Sequence, residues 1–571
     1  MTMKNKHLTL LIVLLTTLIT IIYFPSLTVP FYLDDHSSIV DNTILHTGSA
    51  AQVLESSGRR FVTYISLWLD LKFNDDVKQF HITNLVIHLL AGLFSYLLST
   101  KLIGKAYPHL SESKISYISL FAAVLFVIHP LQTQAVTYII QRTASLAALF
   151  YLASLFFYMC FRSSNSTLQK ASYFSLCFSS TLLALFTKEN TYSLLIAFIL
   201  VEFALFNSLN IKRTLLGSLL VISSIIVLGL FSTEFQGALQ AVDRLTREDL
   251  MTSRIDYFLA QLSILWLYVL KFIAPFNLRL EYDYTINSFS LLLTSISAIL
   301  HFAFIIFAIL NCKKKPLISF LIFLFYTTHS IESSFIPIKD LIFEHRTYLP
   351  NYSLCLLLSL LLFSLCSIPK YKTTTIGFLV ILTLFLSFLT YKRNIQWQNP
   401  ITFYKNELTY SPKSCRVLGN LAYEYQKLGD IARSTNTLEK CLHNSSNQSL
   451  NPQLVINYIS LLISQKQLLK AEAIAIQWLD KVSDVPFIKI DLLDSLADIK
   501  LQMNDLTMSE QYLRESIRIV PNQSRSLISL SLVLAKQGRF SEAREYVIQG
   551  LAIEPNNELG KLIAQRLGVE N

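Results

Sequence analysis

Two adjacent carboxylates carry the most suggestive chemistry in the chain. Asp34 and Asp35 follow Phe31-Tyr-Leu, just past an apolar run at 7–25. Neighbouring acids repel, so one holds a raised pKa unless a cation or metal compensates. Either could serve as a general base or help to hold a divalent metal. Helix capping or solvated loop charge would use the same residues. Further polar groups accumulate downstream: His129-Pro130 leading to Gln132, Gln134 and Arg142; Thr187-Lys188-Glu189-Asn190; Arg244, Arg247 and Arg254; and Glu332, Lys339, Asp340, Glu344, His345 and Arg346 ahead of Tyr348. Charges at membrane level are costly and usually mark a function. Interfacial anchoring and snorkelling account for residues such as Lys271 or Arg279. They account less well for Lys188 and Glu189, side by side in a hairpin between two apolar runs.

The elements that must position these residues belong to a membrane. The chain has 571 residues, 52% hydrophobic and only 15% charged, with 14 glycines. That excludes a soluble multidomain protein, and also disorder, which needs few apolar residues and much charge. Charge is unevenly spread: 47 of the first 391 residues are Lys, Arg, Asp or Glu, against 39 of the last 180. The net charge of +10 therefore sits mostly around apolar segments and does not indicate nucleic-acid binding. Runs near bilayer length, roughly 17–25 residues, occur near 7–25, 80–103, 115–130, 142–161, 171–187, 191–209, 214–232, 289–310, 316–330, 348–368 and 374–390. The first lacks a small-residue cleavage site and reads as a retained anchor.

Lys and Arg stay on the cytoplasmic side of such bundles. Starting the chain inside gathers Lys4, Lys6, Lys101, Lys105, Lys114, Arg162, Lys170, Lys212, Arg213, Lys313, Lys314, Lys315, Lys370 and Lys372 there, with Glu112 the only acid among them. Counting the apolar stretch 255–275 as a span would move Lys313–Lys315 outside, so it is expected as an interfacial helix. The expectation is an all-α chain of about 11 spans over 1–391, with a long first outer loop at 26–79. An odd count puts the soluble tail outside the cytoplasm, after a linker at 392–415.

That tail repeats. Segments starting at Asn420, Asn457, Ser495 and Ser529 align at offsets of 37, 38 and 34 residues. Pro521-Asn522 and Pro555-Asn556 recur, and Gly429 and Gly538 mark turns between paired helices. The pattern is that of tetratricopeptide repeats, period 34, predicting an α-solenoid over 416–571 with a concave groove for a protein. A spacer role would need no groove. Five of the seven cysteines lie in or beside apolar runs and act as small apolar residues. Cys415 and Cys441 bracket the first repeat, and outside the cytoplasm they could pair. No Cys/His spacing suggests zinc.

In order along the chain stand Tyr32-Leu-Asp-Asp, Phe80-His-Ile-Thr-Asn-Leu, His129-Pro-Leu-Gln-Thr-Gln-Ala-Val-Thr-Tyr, Phe186-Thr-Lys-Glu-Asn, Phe343-Glu-His-Arg-Thr-Tyr-Leu-Pro and Tyr391-Lys-Arg-Asn with Trp397. With the C-terminal repeats, this series resembles the bacterial relatives of the transmembrane-and-tetratricopeptide O-mannosyltransferases, within the GT-C glycosyltransferases. The resemblance implies a GT-C-like polytopic bundle in a bacterial inner membrane. It also implies transfer of a sugar from a polyprenyl-phosphate or diphosphate donor to a protein hydroxyl on the periplasmic side, with inversion. Asp34 would then be the base and Asp35 its companion. Arg346, Lys188, Arg142 and Arg244 would neutralise the leaving phosphate, supported by His129, Glu189, Glu344 and His345. A divalent metal at Asp34/Asp35 is open: the mannosyltransferases of the family work without one, while oligosaccharyltransferases with a first-loop Asp use one. Eukaryotic members often carry an Asp two residues past the arginine matching Arg142. Here that position is Ala144, which implies a different donor or acceptor if that Asp handles substrate.

Two other readings fit parts of the chain. A transporter of lipid-linked sugars would be expected to show duplicated halves and interrupted midplane helices; no duplication is evident. A non-enzymatic scaffold explains the repeats but leaves the outer carboxylates and cations without a purpose.

Overall fold

The computed structural model describes residues 3–206, 252–444, 451–482 and 486–569, and every element among them is helical. The run at 214–232, and with it Arg244 and Arg247, lies outside the described residues. The chain divides into two compact units, Met1–Phe403 and Tyr404–Asn571.

In the first unit the site is carried by α1 (Met3–Tyr23), α2 (Phe61–Phe73), α3 (Val77–Ala106), α4 (Glu112–Ile128), α5 (Arg142–Ser163), α6 (Thr167–Leu185), α7 (Leu194–Val201), α8 (Arg254–Ile273), α9 (Leu291–Asn311), α10 (Pro316–His329), α11 (Asn351–Cys366) and α12 (Lys372–Gln396). Local signals set several boundaries. The Ser111 hydroxyl accepts from the Lys114 amide to start α4, and Ser290 accepts from Leu293 to start α9. Pro316 occupies the first turn of α10, where its missing N–H costs nothing. Pro130 ends α4, because the residue before a proline is pushed to extended backbone: His129 has φ −70° and ψ 130°. The chain resumes in the short helix Thr133–Thr137 after a 54° bend. That break swings Tyr138 and Ile140 toward the loop after α1.

Seven described helices are long and apolar enough to cross a membrane, or eight if the bent pair around Pro130 is one span. The chain is thus a multi-pass membrane protein. The eleven spans expected from sequence are not confirmed among the described residues. Helices α10 and α11 are apolar but shorter, with 14 and 16 residues, and α6 is not among the seven. Helix α8, expected to lie at the interface, has 20 residues and is among them.

The second unit is a series of antiparallel helix pairs, beginning Cys415–Lys427 with Ile431–Asn444 and continuing to Ser524–Lys536 with Phe540–Ile553. Each of its four intra-pair turns puts one residue in the left-handed region: Gly429 (φ 76°), Lys466 (61°), Asn504 (63°) and Gly538 (82°). The spacing is that of the repeats found in sequence. Glycine takes this conformation at no steric cost, whereas lysine does not. That is why the outer two repeats read clearly and the middle two look degenerate. Ala422, Ala471, Ala497 and Ala543 are buried where helices cross closely. Cys415 and Cys441 form a disulfide across the first pair.

Candidate active site

The two aspartates of the first loop turn opposite ways. Leu33, immediately before them, has φ 41°, a conformation that costs a non-glycine residue roughly 1–2 kcal/mol. Beyond this pivot Asp35 folds back into the protein, 1% exposed. Its Oδ2 accepts from the Tyr32 amide at 3.0 Å and its Oδ1 from the Ile140 amide at 2.7 Å. Asp34 is exposed, and its amide donates to the Tyr138 hydroxyl at 2.9 Å. The loop is anchored from below: the Tyr32 hydroxyl donates to the Trp397 carbonyl at 2.5 Å, and the two rings meet edge to face at 5.1 Å. Burial pushes the Asp35 carboxyl up to about 8. The backbone donors at Tyr32 and Ile140 pull it down, and the Asp34 charge raises it further.

Asp34 lines a cavity of about 640 Å³, within the roughly 300–1,000 Å³ of small-molecule sites. The same cavity is lined by Lys188, Glu189, His345 and Arg346, four more residues singled out in sequence. Lys188 comes from the loop ending α6, and Arg346 from a short 3₁₀ turn ahead of α11. Lys188 Nζ is 2.6 Å from Glu332 Oε1. Burial raises the Glu332 carboxyl, but Lys188 and Arg346 outweigh it and leave it below its ordinary value. Arg346 is 5% exposed; it donates to the Leu341 carbonyl at 3.3 Å and stands over the Phe343 ring. Among the described residues no carboxylate lies within ion-pair distance of it. His345 stacks on Phe343. Burial, then Lys188, Arg346 and Arg60, hold its imidazole well below the usual value and so uncharged. Its buried Nδ1 has no hydrogen-bond partner among the described residues.

Sequence reasoning missed part of this wall. Arg59 and Arg60 also line the cavity, and Arg60 forks onto Glu189 with N–O distances of 2.9 to 3.1 Å. Glu332, noted only as one polar residue of a crowded loop, is the partner of Lys188. A signal existed: two adjacent arginines in a segment expected outside the membrane run against the charge bias.

Other candidates are placed elsewhere. Arg142 is not a cavity cation. It is fully buried and bound to Asp70 at 2.6 Å, to Asn84 Oδ1 at 2.6 Å and to the Phe80 carbonyl at 2.9 Å; it ties α5 to α2 and α3. His129 is a joint: its Nδ1 accepts from the Leu131 amide, while its other ring nitrogen lies 2.9 Å from the Phe272 carbonyl. Glu344 is buried and accepts from the Arg279 amide and the Tyr282 hydroxyl, bracing the segment after α8. Ala144 is buried in α5 and does not line the cavity. Nor do Asp34 and Asp35 converge as metal ligands. Both Asp35 oxygens are taken by backbone amides, and among the described residues no three His, Cys, Asp or Glu side chains gather at one point.

The comparisons agree with the motifs. The tetratricopeptide repeat family matches residues 416–447. Protein O-mannosyl-transferase F38B6.6 of Caenorhabditis elegans is 25% identical over 455 residues, covering 73% of this chain and 60% of that protein. Over this stretch the chain is similar to a protein named as a protein O-mannosyl-transferase. Protein O-mannosyl-transferase TMTC3 of Homo sapiens is 27% identical over 162 residues, 26% of this chain and 16% of that protein. The match thus spans less than two thirds of the length of either relative.

Proposed function

We propose that this chain is a membrane glycosyltransferase that moves a sugar from a polyprenyl-phosphate or diphosphate carrier to a protein hydroxyl on the extracytoplasmic side. The observation that carries the reading is the shared cavity, lined by one exposed carboxylate, Asp34, and by buried cations at Lys188 and Arg346. The homology to O-mannosyl-transferases supports it.

In the reaction the acceptor oxygen attacks the anomeric carbon as the bond to the donor phosphate oxygen breaks. Asp34 takes the hydroxyl proton. Arg346 and Lys188, with Arg59 beside them, receive the negative charge released on the phosphate. A single displacement inverts the anomeric centre. Glu332 holds Lys188 in position before the donor arrives, and the neutral His345 offers its free nitrogen to a sugar hydroxyl. Asp35 acts through structure, fixing the loop that aims Asp34. The residues present do not suit a metal held by both aspartates, and no step here uses one. The repeats supply a groove for the acceptor protein. Their disulfide accords with an oxidising compartment, which supports placing the repeats outside the cytoplasm; the membrane proposed is a bacterial inner membrane, with the repeats in the periplasm.

The test is an intact-mass comparison of envelope proteins from cells carrying the wild-type chain or Asp34→Asn. The substitution is expected to remove a sugar-sized increment from at least one protein, by a factor of about 10²–10⁴ in rate, with the variant still inserted in the membrane. Unchanged increments overturn the proposed base.

A further inference from the structure

A second cavity, of about 1240 Å³, runs along the bundle from Lys114, Lys315 and Lys372 at one end to Ile273, the neighbour of the Phe272 that meets His129. It exceeds the usual span of small-molecule sites. Its walls are apolar, with Phe304, Ile318, Leu357, Leu361 and Phe363 among them. It is also lined by Lys114, Lys315 and Lys372, all three exposed, and by no carboxylate. Among the described residues none of these lysines is ion-paired.

The lysines mark the depth of the cleft. Lys114 sits in the first turn of α4, Lys315 caps α10 and Lys372 opens α12. Each of these helices then runs toward the Asp34 cavity: α4 to His129, α10 to the segment bearing Glu332, and α12 to Trp397 beneath Tyr32. With 17, 14 and 25 residues at about 1.5 Å each, they span roughly 21–38 Å. That is comparable to the roughly 30 Å hydrocarbon core of a bilayer. The three lysines are therefore at the membrane face opposite the Asp34 cavity, where Lys313, Lys314 and Lys370, also not ion-paired among the described residues, are exposed as well.

We propose that this cleft binds an anionic glycerophospholipid, its phosphate on Lys114, Lys315 and Lys372 and its acyl chains along the apolar walls. Basic pockets between membrane helices on the cytoplasmic side take such headgroups. A free phosphate would engage the lysines but leave the apolar walls unused. The inference does not rest on the glycosyltransferase reading, since no residue that lines this cleft lines the Asp34 cavity.

The test uses the purified full-length chain in detergent, probed with phosphatidylglycerol, phosphatidylcholine and inorganic phosphate. Native mass spectrometry reads bound lipid, and thermal unfolding reads stabilisation. Wild type should retain and be stabilised by phosphatidylglycerol in preference to phosphatidylcholine. Lys114→Gln/Lys315→Gln/Lys372→Gln should need on the order of a hundredfold more phosphatidylglycerol for the same occupancy. Lys313→Gln/Lys314→Gln/Lys370→Gln removes the same charge nearby without lining the cleft, and should behave as wild type. Unchanged retention in the lining variant, equal loss in the control, or full stabilisation by inorganic phosphate alone overturns the proposal. Should the lining variant fail to fold, Ser364→Trp decides: it fills the cleft with the lysines intact, and undiminished retention there also overturns it.

Discussion

Lys188 Nζ and Glu332 Oε1 stand 2.6 Å apart, on side chains each nine-tenths buried in the wall of the Asp34 cavity. They come from loops 144 residues apart in sequence. A buried pair of this kind contributes little net stability, yet losing one partner strands the other charge. Lys188→Met or Glu332→Leu alone is therefore expected to destabilise the chain by about 3–5 kcal/mol. The double variant should recover most of that in thermal unfolding. If Lys188 also receives phosphate, the double variant regains stability without regaining sugar transfer. Recovery of both would remove Lys188 from the donor site.

Asp35 gives a pH signature. Its carboxyl titrates near 8 in the folded chain against an ordinary 3.8, so the folded state holds the proton more tightly than the unfolded one. Stability from this group is fully present below about pH 4 and declines as pH rises through about 8, by at most about 1.4 kcal/mol per pH unit. Thermal unfolding between pH 6 and 9 should fall more steeply for wild type than for Asp35→Asn, a neutral isostere. Parallel curves would show that the carboxyl is already ionised. Asp35→Ala, which strands the Tyr32 and Ile140 amides, should cost about 1–3 kcal/mol for each donor at any pH.

Arg142 provides a contrast with the cavity cations. Arg142→Lys keeps the charge but loses the fork across Asp70, Asn84 and Phe80. It should lower the unfolding temperature and the amount of folded protein while leaving the donor KM of the surviving enzyme unchanged. A raised KM at normal stability would return Arg142 to the donor site.

Cys415 and Cys441 should both resist a maleimide in the unreduced chain and both react after reduction. Replacing the pair with serine opens a loop whose ends are 26 residues apart and should cost the repeat unit about 2–4 kcal/mol. Prompt labelling of either thiol without reductant would count against the disulfide.

Much of this was legible in the sequence because it is local. Apolar runs give membrane helices, the Pro130 break is visible in His129-Pro130, and the repeat offsets recur in the left-handed turn residues. Membership of the Asp34 cavity was partly legible too, through the polar crowding at Lys188-Glu189 and His345-Arg346. What escaped was pairing at a distance. Arg142 looks like a ligand until Asp70, on another helix, is seen against it, and Glu332 looks incidental until Lys188 meets it. Nothing in the dipeptide Asp34-Asp35 says that one acid faces in and the other out, since a single backbone angle at Leu33 decides that.

That angle has a remote guardian. A leucine does not stay at positive φ unaided; besides the Asp35 carboxylate on the Tyr32 and Ile140 amides, it is restrained through Tyr32, held by its hydroxyl and ring to Trp397, 365 residues further along. Loosening that tryptophan would let the leucine slip back to ordinary extended backbone and carry the neighbouring acid off target. The aim of an acid in the first loop thus depends in part on an aromatic at the far end of the last membrane helix.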